Sequence, residues 1–439
     1  MRKIFRKLQD IFGSKVIRNK ILFTIGILAL YRLLVLVPVP FVDISILVER
    51  TLDTSSSGLS YFVMFLGGSL ENFSLIAVGL APFINASIIL QLLGAVVPHL
   101  EELTEQGEVG QQKIQQYTRY LTVPLAFMQG IGMVFFMNYL LGGSVIDTGL
   151  DTLILSGFAM TVGAVLLMWL GELITEKGIG NGISILIFAS IVAGMTQQIS
   201  VSLTSASSLF GIIAFMLFII IGLVLLSIFI LRSIKEIPIV YAKQGKVEET
   251  SLLPIPLNPV GMIPIIFAIA FITFPYLLGR MAIQFQPMNT NLVALANWIE
   301  VNLNIYSQQP ALPAIILFFL LVVVFTFFYT MIVFSPERIA DTVQKRGGFV
   351  PGIRPGEETA KYINKVLMHL CLRGGAGLAA VGVYSYVLNY IPFVQDIVLA
   401  VGSLPVVVTG SGVIIIVGVV QDIFNKVSSE LLTSKYDSI

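Results

Sequence analysis

Residues equipped for covalent or metal chemistry are scarce in this chain. It has two histidines, His99 and His369, far apart in sequence, and one cysteine, Cys371. A single cysteine allows no intrachain disulfide, and no metal-ligand spacing is visible. The glycine-rich stretch Gly178–Gly182 invites a phosphate-loop reading, but it lacks a strand-to-helix setting, and GxxxxGK[ST] occurs nowhere. The polar groups that remain are of another kind. Asn85, Ser87 and Gln91 punctuate an apolar stretch, with Ser87 and Gln91 four residues apart on one helical face. Helix–helix hydrogen bonding accounts for such residues at about 0.6 kcal/mol each. The segment VQKRGGFVPGIRPGEETAKYINKV, residues 343–366, sets Lys345, Arg346, Arg354 and Lys361 among Gly-Pro turns, a shaped loop that presents Arg354. No clustered acid, base or metal site is visible among them, and neither a cofactor nor a metal is expected.

The elements that must carry them are membrane helices. Of the 439 residues 56% are hydrophobic and only 12% charged, against about 25% charged in a soluble domain. Mean hydropathy is +0.92. Apolar runs long enough to span a bilayer fall at roughly 21–39, 73–97, 119–141, 152–171, 182–200, 208–231, 259–279, 311–334, 370–390 and 401–420. The first lacks a small-x-small cleavage pattern and reads as a retained span rather than a removed signal peptide. With ten spans both termini share a side, and that side holds 23 of the 26 Lys and Arg residues. Arg50 and Arg280 lie opposite, and Arg32 lies within the first span, where it can snorkel outward. The positive-inside rule therefore places both termini, and the loops 232–258 and 335–368, in the cytoplasm. A division near 201–208 gives two halves of five spans, and an odd number per half inserts a duplicated unit upside down.

One apolar run fails as a span. LSYFVMFL, residues 59–66, rises only about 12 Å as a helix, and Gly67, Gly68 and Ser69 break it. It reads either as an interfacial helix or as a re-entrant stopper, since irregular backbone at that depth needs protein or a watery cavity around it.

Five segments carry a family resemblance: FVPGIRPGEETAKYI from Phe349, EKGIGNGIS over 176–184, APFINASIILQLL over 81–93, QQYTRYLTVPLA from Gln115 and NPVGMIPIIFA from Asn258. Together they resemble the SecY/Sec61-alpha family of protein translocase channels, over essentially the whole chain. The resemblance implies an all-α hourglass of ten transmembrane helices in two inverted halves, residues 1–205 and 206–425, followed by a short cytoplasmic tail, 426–439. It implies a sideways opening to lipid between spans 2–3 and 7–8. A plug falls at about 57–70, including Tyr61, Phe62, Met64, Phe65, Gly67 and Gly68. The constriction ring falls on Leu80, Ile84, Ile183, Ile187, Ile266 and Ile415, with leucine at a first position that is usually isoleucine. Lateral-gate positions fall on Asn85, Ile88, Gln91 and Phe274. Motor- and ribosome-binding positions fall on Arg354, Lys345, Arg346, Lys243 and Lys246, although Glu248 and Glu249 make that first loop more mixed in charge than the family pattern.

The implied role is a channel in the cell (inner, plasma) membrane that passes unfolded polypeptides and releases hydrophobic segments into the lipid bilayer. Implied partners are the small subunits SecE and SecG, the SecA ATPase, the ribosome, signal-peptide-bearing preproteins, and YidC and SecDF. Two other readings stay open from residues alone. A secondary transporter of a small solute or lipid calls for ionisable groups near the midplane, where this chain has only Arg32. A membrane enzyme calls for a clustered acid, base or metal.

Overall fold

The computed structural model describes residues 14–40, 73–94, 96–140, 149–205, 209–241, 249–285, 290–305, 310–388, 390–391 and 410–436. Helices dominate: α1 (Lys15–Val35), α2 (Ala81–Gly94), α3 (Pro98–Glu105), α4 (Glu108–Leu140), α5 (Leu150–Lys177), α6 (Gly182–Ser205) and α7 (Leu209–Arg232) come first. After two strands follow α8 (Ile263–Phe285), α9 (Thr290–Leu303), α10 (Leu312–Val333), α11 (Pro336–Lys345), α12 (Glu357–Leu388) and α13 (Gly410–Tyr436). The described parts of the ten apolar runs lie largely on these helices, and residues 401–409 of the last run lie outside the described residues. Among the described residues, four helices are long and apolar enough to cross a membrane: Leu150–Lys177, Leu312–Lys345, Glu357–Leu388 and Gly410–Leu431. Shorter apolar helices cover Gly182–Gly194, Leu217–Arg232 and Ile263–Pro275.

The outward faces are apolar. On α7, Phe218 is 77% exposed and Phe229 67% exposed; Leu320 on α10 and Leu33 on α1 are similarly bare. In water such a belt invites association. Against lipid it costs nothing, and the helices then hold together by van der Waals packing rather than by the hydrophobic effect. One apolar cluster joins α1, α2, α5, α6, α7, α8, α10, α12 and α13 through residues such as Leu80, Leu167, Leu186, Ile266, Phe318 and Ile415.

Close packing depends on glycines at which the backbones of two elements meet. A Cβ on Gly163 of α5 would overlap the Leu75 carbonyl oxygen, just ahead of α2. A Cβ on Gly374 of α12 would overlap the Leu257 carbonyl oxygen, just ahead of α8. A second pair follows the same order: Gly182 opens α6 against the Gly171 carbonyl of α5, and Gly410 opens α13 against the Val381 carbonyl of α12. Both of these approaches in the first half of the chain thus recur five spans later.

Three features depart from the sequence reading. The run at 73–97 is helical only from Ala81. Residues 73–80 form turns held to the end of α1, with Val39 N–H donating to Phe73 O at 2.9 Å and Leu75 N–H to Val37 O at 2.8 Å. Pro82, in the first turn of α2, needs no backbone donor there. The helix α12, which carries the run 370–390, begins at Glu357, well before that run, with Glu357 and Glu358 in the first turn where the helix dipole favours them. Finally, the stretch read as the 232–258 loop contains a hairpin. β1 (Ile234–Tyr241) pairs antiparallel with β2 (Glu249–Pro256), and β3 (Gly348–Phe349) adds to β1, giving the order β2-β1-β3. Ile237 and Ile255 of the hairpin pack with Val350, Ile363 and Leu367 in a small core of their own.

The glycine contacts predict opposite outcomes for similar changes. Gly163→Ala and Gly374→Ala each destabilise the solubilised protein by about 1–3 kcal/mol through overpacking. Gly26→Ala, with nothing within 4 Å of the added carbon, leaves the unfolding temperature in detergent unchanged.

Candidate functional site

The six ring positions all belong to, or pack against, one extended apolar cluster. Leu80, Ile84, Ile266 and Ile415 are buried members of the central apolar cluster, and Ile183 and Ile187 pack against it. They arrive from the turn before α2, from α2 itself, and from α6, α8 and α13. Four of them, Leu80, Ile84, Ile187 and Ile266, line a single cavity of about 30 Å³. A water molecule needs at least about 10–15 Å³ measured in this way, so the space holds a couple of waters and no polypeptide. Its lining is aliphatic apart from two side chains that sequence reasoning did not single out, Tyr31 of α1 and Ser190 of α6. A signal for Ser190 existed: it follows Ile183 by seven residues and Ile187 by three, and so shares their face.

What aims the α6 residues is the turn at 178–182. Asn181 caps α6, its Oδ1 accepting from Ile183 N–H at 3.1 Å and Ser184 N–H at 3.3 Å. Thr175 Oγ1 accepts from Gly182 N–H at 2.8 Å, and Thr24 Oγ1 on α1 accepts from Ile179 N–H at 3.2 Å. Gly180 takes φ +80°, which only glycine adopts without strain. The glycine-rich motif is therefore a rigid corner between α5 and α6. Nearby, Glu172 of α5 pairs with Arg119 of α4 at 2.8 Å and accepts from Gln115 at 3.3 Å. Lys20 of α1 meets Glu430 of α13 at 2.7 Å, tying the two ends of the chain.

The gate positions lie on helices in contact, since α8 packs against both α2 and α4. On α2, Ile88 is buried and Asn85 half-buried. Gln91 Nε2 donates to Ser87 Oγ at 3.0 Å within the same helix, and the Gln91 side chain also reaches Tyr329 on α10. Phe274 is half-buried on α8, one residue ahead of Pro275, which removes a backbone hydrogen bond from that helix.

Arg354, Lys345 and Arg346 are exposed. The Arg354 loop is held between two left-handed glycines, Gly352 (φ +82°) and Gly356 (φ +95°). The Arg354 carbonyl accepts from Thr359 Oγ1 at 2.8 Å, and the loop leans on the small core shared with the hairpin. Lys243 and Lys246, and the segment 57–70 with Tyr61, Phe62, Met64, Phe65, Gly67 and Gly68, lie outside the described residues. Among the described residues no group of three His, Cys, Asp or Glu side chains could hold a metal ion.

Comparison with known proteins gives a consistent result. The SecY family model matches residues 74–424. The protein described as "Protein translocase subunit SecY" from Vibrio cholerae is 37% identical, covering 99% of this chain and 96% of its own length. The protein of the same description from Escherichia coli K12 is 36% identical, covering 97% and 94%. Among solved structures, "The structure of a protein conducting channel" superimposes with a TM-score of 0.61 at 16% identity, covering 95% of this chain and 94% of its own. Sec61 from the canine ribosome-channel complex of the endoplasmic reticulum gives 0.58 at 17%, covering 95% and 94%. At those identities the likeness is one of fold.

The capping geometry of α6 sets a prediction. Asn181→Ala costs about 1 kcal/mol of stability and Asn181→Asp much less, measured as unfolding of the purified protein in detergent.

Proposed function

Because the chain belongs to the SecY family, we propose that it is a protein-conducting channel in which unfolded polypeptides pass through the aliphatic constriction and hydrophobic segments leave sideways into lipid. The observation that carries this reading is the meeting of Leu80, Ile84, Ile187 and Ile266 around one small cavity. A closed ring of branched aliphatic side chains blocks ions by dewetting. It offers no fixed hydrogen bonds, so it favours no particular passing sequence, and its side chains can shift around a chain in transit. Ile183 and Ile415, in the same cluster, complete the ring in this account.

The remaining assignments follow from that one. Asn85, Ile88, Gln91 and Phe274 line the sideways exit, where α8 packs on α2 and α4 and Pro275 gives α8 a weak point. Residues 57–70 serve as the plug. The repeated glycine approaches support two five-span halves, 1–205 and 206–425, with the tail 426–439. The excess of basic residues supports a cell-membrane location with cytoplasmic termini. The chain drives no step by itself. A SecA-type ATPase or a translating ribosome engages Arg354, Lys345, Arg346, Lys243 and Lys246 and supplies the push, and small SecE- and SecG-type subunits complete the complex.

Reconstitution tests the whole reading. Vesicles holding this chain with its small subunits import an unfolded preprotein only when the ATPase motor or a ribosome is added, and Arg354→Glu abolishes motor-driven import while the protein still inserts and folds. Uphill uptake of a small solute by the chain alone, or wild-type import by the Arg354 variant, contradicts it.

A further inference from the structure

Two hydroxyl-bearing residues line the otherwise aliphatic cavity at the constriction, and their hydroxyls are bonded to each other. Tyr31 OH and Ser190 Oγ stand 2.7 Å apart, joining α1 to α6. The direction of that bond follows from the next one. Ser190 Oγ donates to the Leu186 carbonyl of its own helix at 2.9 Å. A serine hydroxyl has one proton, so Tyr31 is the donor and Ser190 the acceptor. The relay runs Tyr31 O–H to Ser190 O–H to Leu186 C=O. Tyr31 is only 2% exposed and is packed into the central cluster together with Val35, one turn further along α1. The ring is thus fixed on its own helix while its hydroxyl reaches across to α6.

Ser190 lies on the face of α6 that carries Ile183 and Ile187. A bond that fixes Ser190 fixes the rotation of that face about the helix axis. At its N-terminus, about two turns before Ser190, α6 is already fixed by the Asn181 cap and the 178–182 corner. From these contacts we infer that Tyr31 and Ser190 are positioning residues of the constriction: their bond holds α6 in the rotation that points Ile187 at the cavity and so sets how tightly the closed channel seals. This rests on the constriction reading above and adds to it two polar residues in the wall of an apolar seal. The apolar ring excludes water, and a single directed bond behind it keeps the ring in register.

The bond can be removed cleanly from one side. In Tyr31→Phe the Ser190 hydroxyl keeps its donation to Leu186, so no buried donor is orphaned. In Ser190→Ala the Tyr31 hydroxyl loses its acceptor. The test is resting ion conductance of the full channel complex in planar bilayers, with unfolding temperature measured on the same preparations. One net hydrogen bond corresponds to about a three- to tenfold shift in population, so Tyr31→Phe raises resting conductance about three- to tenfold, and Ser190→Ala at least as much. The double variant leaks no more than the worse single, and Ser190→Thr, which keeps the hydroxyl, restores the seal. Gly374→Ala, which loosens α12 away from the cavity, does not reproduce the leak. Ile187→Gly separates the two levels of the account. If it leaks while Tyr31→Phe stays at the wild-type level, the positioning role falls and the constriction stands. If Ile187→Gly also seals normally, the constriction reading fails and takes the positioning role with it. Single effects that multiply in the double variant, a Ser190→Thr channel as leaky as Ser190→Ala, or an equal leak from Gly374→Ala would each overturn the inference.

Discussion

Lipid offers backbone amides no hydrogen-bond partners, and the rest of the structure follows from that constraint. It explains why the apolar runs are helical over most of their described residues, and why the few non-helical stretches among them are so tightly held. Residues 73–80 bond back to the end of α1, and 178–182 is closed by Thr24, Thr175 and Asn181. At 257–262, Asn258 Nδ2 donates to Gly261 O at 2.6 Å and Asn258 accepts from Val260 N–H. Each of these stretches leads directly into a helix that carries ring residues: α2, α6 and α8. The irregular backbone needed to aim Leu80, Ile187 and Ile266 at one point exists only where side-chain caps and glycine contacts replace water.

A second consequence concerns what holds the helices together. With lipid outside, burying an aliphatic side chain between helices gains packing but little hydrophobic free energy. Stability then depends on close approach, and the glycines at 163, 171, 182, 374 and 410 supply it. Cohesion of this kind suits a channel that must come apart along one seam. The contacts at α2, α4 and α8 have no ion pair among the described residues, whereas α1 and α13 are joined by Lys20–Glu430 and α4 and α5 by Arg119–Glu172. A seam of apolar contacts and a few weak polar ones can open to lipid at low cost.

Much of this was legible in the sequence, for identifiable reasons. Hydropathy found the apolar runs, four of which lie on described helices long and apolar enough to cross a membrane, because a bilayer demands about 20 apolar residues at a stretch, a stronger signal than any soluble helix gives. The ring positions were not legible from pattern, because an isoleucine facing a pore, a neighbour or lipid reads the same; only the family resemblance singled them out. The hairpin was missed although Ile237 and Ile239 alternate as a half-buried strand does. Pro238, Pro254 and Pro256 argued against a strand, and the pairing that overrides them links residues far apart, up to Ile234 with Pro256. Tyr31 and Ser190 were missed because each is unremarkable alone, and 159 positions separate them.

In the proposed channel, polypeptide passes between Ile187 and its neighbours. Since the chain has one cysteine, Cys371, a Cys371→Ser background carrying Ile187→Cys gives a single reporter at the constriction. A preprotein stalled midway, with one cysteine along its length, should form a disulfide with position 187 and none with a matched Leu33→Cys reporter on the lipid face. Crosslinking at position 33 but not at position 187 would contradict the account.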